Sequence, residues 1–240
     1  MKDRHFIIIS LIFIAAALAA VIFKSGSKIQ LPPATSYQDT QVLGAETESL
    51  PLPPEVNLAV PFTSQAPYAN WELPYQEFCE EASVLMAASY LFNRGIASAA
   101  YADAELLKIK DWEVQTFGYY KDTTAEETAK ILEDYFDISK VKLAYNPTLT
   151  QIKQAVAAGK LVLVPAAGRM LPNPNYRSPG PLYHMLVIKG YTKDGRLITN
   201  DPGTRKGADY VFESNDVMNA MHDWNDGDVN NGQKVVIVVG

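Results

Sequence analysis

EFCEEASVLMAASYLF, residues 77–92, is the stretch around which the rest of the chain is read. It holds Cys79, the only cysteine among 240 residues. Cys79, Ala82, Ser83, Met86, Ala87 and Tyr90 recur at i, i+3, i+4 and i+7, so they share one face of a helix that begins near the cysteine. Val84, Leu85, Ala88 and Leu91 make the opposite face apolar as well, which predicts a helix buried on most sides. Asn93-Arg94-Gly95 supplies a cation near the last turn and a glycine stop. Cys79 then falls in the first turn, where unpartnered backbone N–H groups favour an anion and a thiol ionises more readily. Read instead as a small buried hydrophobe, the same residue is inert. The stretch alone carries both readings.

Around this helix the composition is that of a globular domain. Hydrophobic residues make up 48% of the chain and aromatics 10%, enough to build one good-sized core. A net charge of -6 without a basic cluster argues against nucleic acid as a partner. One cysteine cannot close an intramolecular disulfide. Three histidines (His5, His184, His222) without Cys/His spacing argue against a metal site. No glycine-rich phosphate loop is present, so no cofactor is expected.

Residues 6–23, FIIISLIFIAAALAAVIF, form an apolar run without a charge, preceded by Lys2 and Arg4. As a helix it would span about 27 Å, close to the bilayer core of about 30 Å. A cleaved signal is the competing reading, through Ala17-Leu18-Ala19, but the apolar run continues past that point. The expectation is an N-terminal membrane anchor over residues 1–23 with the domain outside the cytoplasm. Residues 24–56, with Pro32-Pro33 and Pro51-Leu52-Pro53-Pro54, read as a Pro/Ser-rich linker, or as a short prosegment over a cleft. The domain follows over residues 57–240.

Within it, residues 58–62 read as a short edge strand, residues 102–112 as a weak helix, and residues 124–136 as a helix opened by a Thr124/Glu127 capping box. A strand is expected over 141–145 and a short helix over 150–158. The last third reads as sheet: strands over 161–165, 183–188, 197–201 and 234–239, with a helix over 216–224. Helices early and antiparallel strands late predict an α+β fold. Residues 223–228 resemble a calcium loop, but glycine stands fifth rather than sixth and no glutamate closes it. A polar turn is the better reading.

His184 opens an apolar strand and Asp201 ends the next. If a four-residue loop pairs Tyr191 with Arg196, Asp201 falls opposite Leu186 and His184 is its diagonal neighbour on the same face. A two-residue Asp194-Gly195 turn would instead set Asp201 opposite Ile188, out of reach without a bulge. The order Cys, His, Asp fits nucleophilic acyl transfer: the imidazole handles the thiol proton and the acid orients the imidazole. The Cys79 N–H and a side-chain amide upstream would serve the oxyanion.

These residues resemble a family. Val60-Pro61-x-x-x-Gln65, Phe78-Cys79-x-x-Ala82-Ser83, the run 183–191 (YHMLVIKGY) and Asn200-Asp201-Pro202-Gly203 are similar to the motifs of the bacteriocin-processing type of cysteine peptidase. That is the cysteine-peptidase family numbered thirty-nine, in its stand-alone branch within the papain-like superfamily. The resemblance covers residues 57–239. It implies a papain-like fold and a thiol peptidase acting on a peptide or protein substrate. Cys79 is implied as nucleophile, His184 as base, Asp201 as orienting acid and Gln65 as oxyanion donor. Gln76, three residues before Cys79, rivals Gln65 for the last role. Glu80-Glu81 stand where family members commonly have glycine, and their charges oppose a thiolate. Exposed, screened by solvent and salt and free to turn outward, they should lose to the helix terminus and the imidazolium, leaving Cys79 reactive well below the free-thiol value of about 8.5. The competing readings are a silent peptide-binding module, favoured by that acidic pair, and another acyl transfer on the same scaffold.

Overall fold

The computed structural model describes residues 29–44 and 51–240. The apolar run at 6–23 lies outside them, and among the described residues no helix is long and apolar enough to cross a membrane. The elements follow in the order α1 (Tyr37–Gly44), β1 (Val56–Asn57), α2 (Cys79–Leu91), α3 (Ala99–Thr116), α4 (Ala125–Lys130), β2 (Val141–Tyr145), α5 (Leu149–Ala157), β3 (Leu161–Ala167), β4 (Tyr183–Tyr191), β5 (Leu197–Asn200), β6 (Tyr210–Phe212), α6 (Ser214–Ala220) and β7 (Val235–Val239). Six strands lie in the order β2-β7-β3-β4-β5-β6, and β1 pairs with β4. All pairings are antiparallel. Helices gathered early against such a sheet make the fold α+β.

Every residue of α2 from Cys79 to Tyr90 is buried, as an apolar circumference requires. α2 packs on β4, where Ser83 Oγ donates to the Met185 carbonyl at 3.3 Å. The sheet beneath is a continuous apolar layer in which all residues of β3, β4 and β5 are buried. Pro165 is tolerated in β3 because the β7 ladder ends at Leu163, so no donor is missing from it. Gly190 is required where β1 crosses: a Cβ there would meet the Val56 carbonyl oxygen at 2.3 Å.

Both α3 and α4 depart from expectation. α3 is longer than residues 102–112 because Ser98 caps it, its side chain accepting from Tyr101 N. The Thr124/Glu127 capping box opens α4, but beyond Lys130 the helix widens into a π turn over Ile131–Tyr135. Asp223, from the calcium-like stretch, caps α4 through Ala125 N at 2.8 Å. The stretch read as linker also contains structure of its own. Thr35 N donates to Asn57 O and Ala59 N to Thr35 O, each at 2.8 Å. The Tyr37 and Tyr90 rings meet edge to face at 5.2 Å. Residues 32–40 are therefore fastened beside the C-terminal end of α2, the end away from Cys79, and not over the cysteine.

α3 crosses α2 with an unusual contact. Glu81 and Glu113 are both fully buried where the helices meet, and none of their four carboxyl oxygens has a hydrogen-bond partner among the described residues. Burial first, then the Glu113 and Glu80 charges, push Glu81 well above the carboxylate range. Burial pushes Glu113 up to about 8. The pair holds together because it retains a proton. An acid raised in the folded state contributes stability that is fully present below its unfolded value and is lost as pH rises through the folded one. The window for Glu113 runs from 4.5 to about 8. Glu113→Gln, which keeps the shape without the charge, should flatten the fall in stability between pH 5 and pH 8. At pH 8 it should stabilise the chain by roughly 1–3 kcal/mol in urea unfolding. Equal slopes for the two proteins would show that the pair is not protonated.

Candidate active site

The site forms where β5 ends and leaves one edge of β4 open. The β4–β5 hairpin pairs Tyr191 with Leu197, a register that carried onward would misplace Asp201. An irregularity between Ile188 and Gly190 resets it, so that Ile188 faces Thr199 and Val187 faces Asn200. Asp201 then follows on opposite Leu186, the placement expected from a four-residue loop but reached through a bulge. Asn200 turns the other way and donates to the Val60 and Pro61 carbonyls at 3.2 and 3.3 Å.

Asp201 is completely buried and fully used. Oδ1 meets His184 Nε2 at 2.8 Å and accepts from Gly203 N at 3.0 Å. Oδ2 accepts from Asn173 Nδ2 at 2.9 Å and Tyr176 OH at 2.6 Å. Burial alone would raise this carboxyl, but the His184 charge and hydrogen bond, with the hydrogen bonds from Tyr176 and Asn173, hold it below the usual range. An ionised Asp201 assigns the imidazole proton to Nε2. That leaves a lone pair on Nδ1, which is buried and has no hydrogen-bond partner among the described residues. The ring cannot drift: the Tyr176 ring lies 5.4 Å away edge to face, and a Cβ on Gly203 would come within 2.7 Å of His184 Cε1. The glycine after Asp201-Pro202 is thus the space the imidazole needs.

Cys79 is the first residue of α2 and is buried. Its thiol donates to Glu80 Oε2 at 2.9 Å, and no hydrogen bond joins it to His184 among the described residues. Burial, then the Glu80 charge and hydrogen bond, then the Glu81 charge push the thiol well above its ordinary value, against a lowering contact from the Met185 backbone. The expectation of an outward-turned acidic pair is corrected: Glu80 and Glu81 are both fully buried. On a helix without a polar face these side chains have no route to solvent, so the screening on which a low thiol pKa rested is missing. The carboxyls themselves respond to burial by rising well above their usual range.

Gln65 is buried and spans to the turn that enters α2, with Nε2 donating to the Tyr75 and Gln76 carbonyls at 3.0 and 2.9 Å. Both amide protons are taken. Gln76 is exposed and bonds its neighbour Glu77 at 3.0 Å. Tyr183 is core, its hydroxyl donating to Thr123 O at 3.1 Å. Tyr176 does line the imidazole. Asn173 is the participant sequence reasoning missed; it stands 28 positions from Asp201 in a Pro/Asn-rich loop without periodicity.

Comparison with known proteins bears on the fold and the family. A C39-like peptidase of Bacillus anthracis, as its structure is described, shares 16% identity at a TM-score of 0.52, covering 78% of this chain and 98% of that one. A prointerpain A fragment from Prevotella intermedia matches at 14% identity and a TM-score of 0.38, covering 82% and 59% of the two chains. No curated protein matches. At 16% identity the Bacillus anthracis structure speaks to the fold alone, which this chain shares. The Peptidase_C39 like family, however, matches residues 57–226, well over half of the sequence and every residue discussed above. The chain belongs to the Peptidase_C39 like family.

Proposed function

We propose that this protein is a cysteine peptidase that hydrolyses peptide bonds through Cys79, His184 and Asp201, with its domain held outside the cytoplasm by residues 1–23. The observation that carries the reading is the imidazole: Nε2 is fixed by a four-donor carboxylate and Nδ1 is left with a buried lone pair. A group so oriented has one chemical use, to accept a proton from a nucleophile beside it.

The steps follow. Cys79 turns from Glu80 and gives its proton to His184 Nδ1. The thiolate adds to the scissile carbonyl, and the oxyanion is met by the Cys79 N–H, free at the helix start, and by Gln65 once it releases a carbonyl of the preceding turn. His184 returns the proton to the leaving amine, and water hydrolyses the thioester by the same route. Asp201 stays ionised throughout. A vinyl-sulfone peptide probe should modify Cys79 in the wild type. Cys79→Ala should abolish turnover, and Asp201→Asn, which releases the wrong imidazole nitrogen, should cost about 10⁴-fold in kcat.

One observation favours a second reading, a silent peptide-binding module: at rest the thiol is tied to Glu80, not to the imidazole. Glu80→Gln separates the two. Removing the charge that raises the thiol should lower its pKa and increase iodoacetamide alkylation at pH 7, with Cys79 as the modified residue. An unchanged rate, together with no probe labelling, would leave the module as the better account.

The anchor is tested apart from the chemistry. The full chain should fractionate with membranes and resist alkaline carbonate. Recovery of a soluble form beginning at Ala20 would replace the anchor with a cleaved signal.

A further inference from the structure

A cavity of about 270 Å³ lies beside the proposed active site, on the side of Gln65. Phe62, Thr63 and Ser64 of the Gln65 loop form one wall, Ser98 and Ala99 at the start of α3 a second, and Arg205 a third. None of the residues lining it is acidic.

Its walls are the segments that build the site. Ser64 Oγ donates to Pro202 O at 3.3 Å and Gln65 N to the same oxygen at 3.0 Å, locking the Gln65 loop to the chain that follows Asp201. The Gln65 amide holds the turn before Cys79, and Tyr75 of that turn donates to Asp103 of α3 at 2.7 Å. The cavity is thus tied by hydrogen bonds to the Gln65 loop, the turn before Cys79 and the chain after Asp201, the segments along which a substrate backbone crossing Cys79 would lie.

The charge of the cavity is positive in a chain whose net charge is -6. Arg205 is exposed, and no carboxylate pairs with it among the described residues. The 18-residue α3 points its N-terminus in, with no acidic side chain in its first turn. Asp103, the nearest carboxylate along α3, is engaged by Tyr75 and does not line the cavity. The Thr63 and Ser64 hydroxyls are spent on carbonyls, so the guanidinium is the group left to bind.

We infer that this cavity is a substrate subsite for a carboxylate, and that Arg205 selects peptides carrying one near the cleaved bond. The carboxylate is an Asp or Glu side chain or a free C-terminus. The inference rests on the peptidase reading, and its test keeps the two apart. Random octapeptide libraries, one with free and one with amidated C-termini, are digested by the full chain and the cleavage sites read by mass spectrometry. The same libraries are passed over immobilised Cys79→Ala protein and the retained peptides sequenced. Asp and Glu should be enriched at one position about two- to fivefold, the range for an exposed charge pair. Alternatively, the free-acid library should be preferred by that factor. Arg205→Gln should erase the preference in both arms. Absence of cleavage would count against the peptidase alone, because retention on the Cys79→Ala protein still reports the preference. No acid preference in either arm, or one that survives Arg205→Gln, overturns the subsite.

Discussion

A carboxylate with no solvent and four donors is the constraint on which the site depends. Asp201 could not remain ionised at zero exposure if His184, Gly203, Asn173 and Tyr176 did not together replace its hydration. The four donors come from three stretches, so the start of β4, the Pro/Asn-rich loop and the turn after β5 must all be in place before the charge is tolerable. The order of the site is thus enforced by the cost of getting it wrong: one missing donor leaves a buried anion short of a partner, a loss of about 1.5–3 kcal/mol for each hydrogen bond to a charge.

Opposite this settled charge lies an unsettled one. α2 begins with a thiol and three buried carboxyls stand close to it: Glu80 on the thiol itself, then Glu81 and Glu113 between the helices. The helix terminus favours an anion, and burial disfavours every candidate for that role. With more acidic groups than charge the site can hold, protons are shared, and the cysteine is one member of the sharing. Its reactivity is a property of the cluster, not of the helix end alone.

Much of this was legible in the sequence because it depends on local pattern. The cysteine helix, the strands from Leu161 onward and the capping box at Thr124 all follow from periodicity and caps over a few residues. Strand parity permitted the His184–Asp201 contact without requiring it, and the bulge between Ile188 and Gly190 decides the register. Other features depend on distant chain. Asn173 reaches Asp201 from a loop whose pattern carries no direction. Ser98 lengthens α3 beyond its weak apolar stripe. Glu80 and Glu81 read as charged and therefore exposed, but a helix apolar all round turns them inward with the rest. The short β6 lacked signal because three residues cannot display a period.

The bulge in β4 separates two kinds of sequence change. Lys189, at the irregularity, is buried and paired with Asp209, whose N–H donates to Asn200 Oδ1 at 3.2 Å. The frame in which Asp201 meets His184 is therefore clamped on the site's side of the bulge, while the hairpin tip from Thr192 to Arg196 lies beyond it. Insertions at the tip are absorbed as loop. A single residue added or lost between Lys189 and His184, or between Thr199 and Asp201, turns one partner to the opposite face of the sheet. The hairpin is free to drift in length over evolutionary time at one end and is held in phase at the other, much as a gene tolerates change outside its reading frame and not within it.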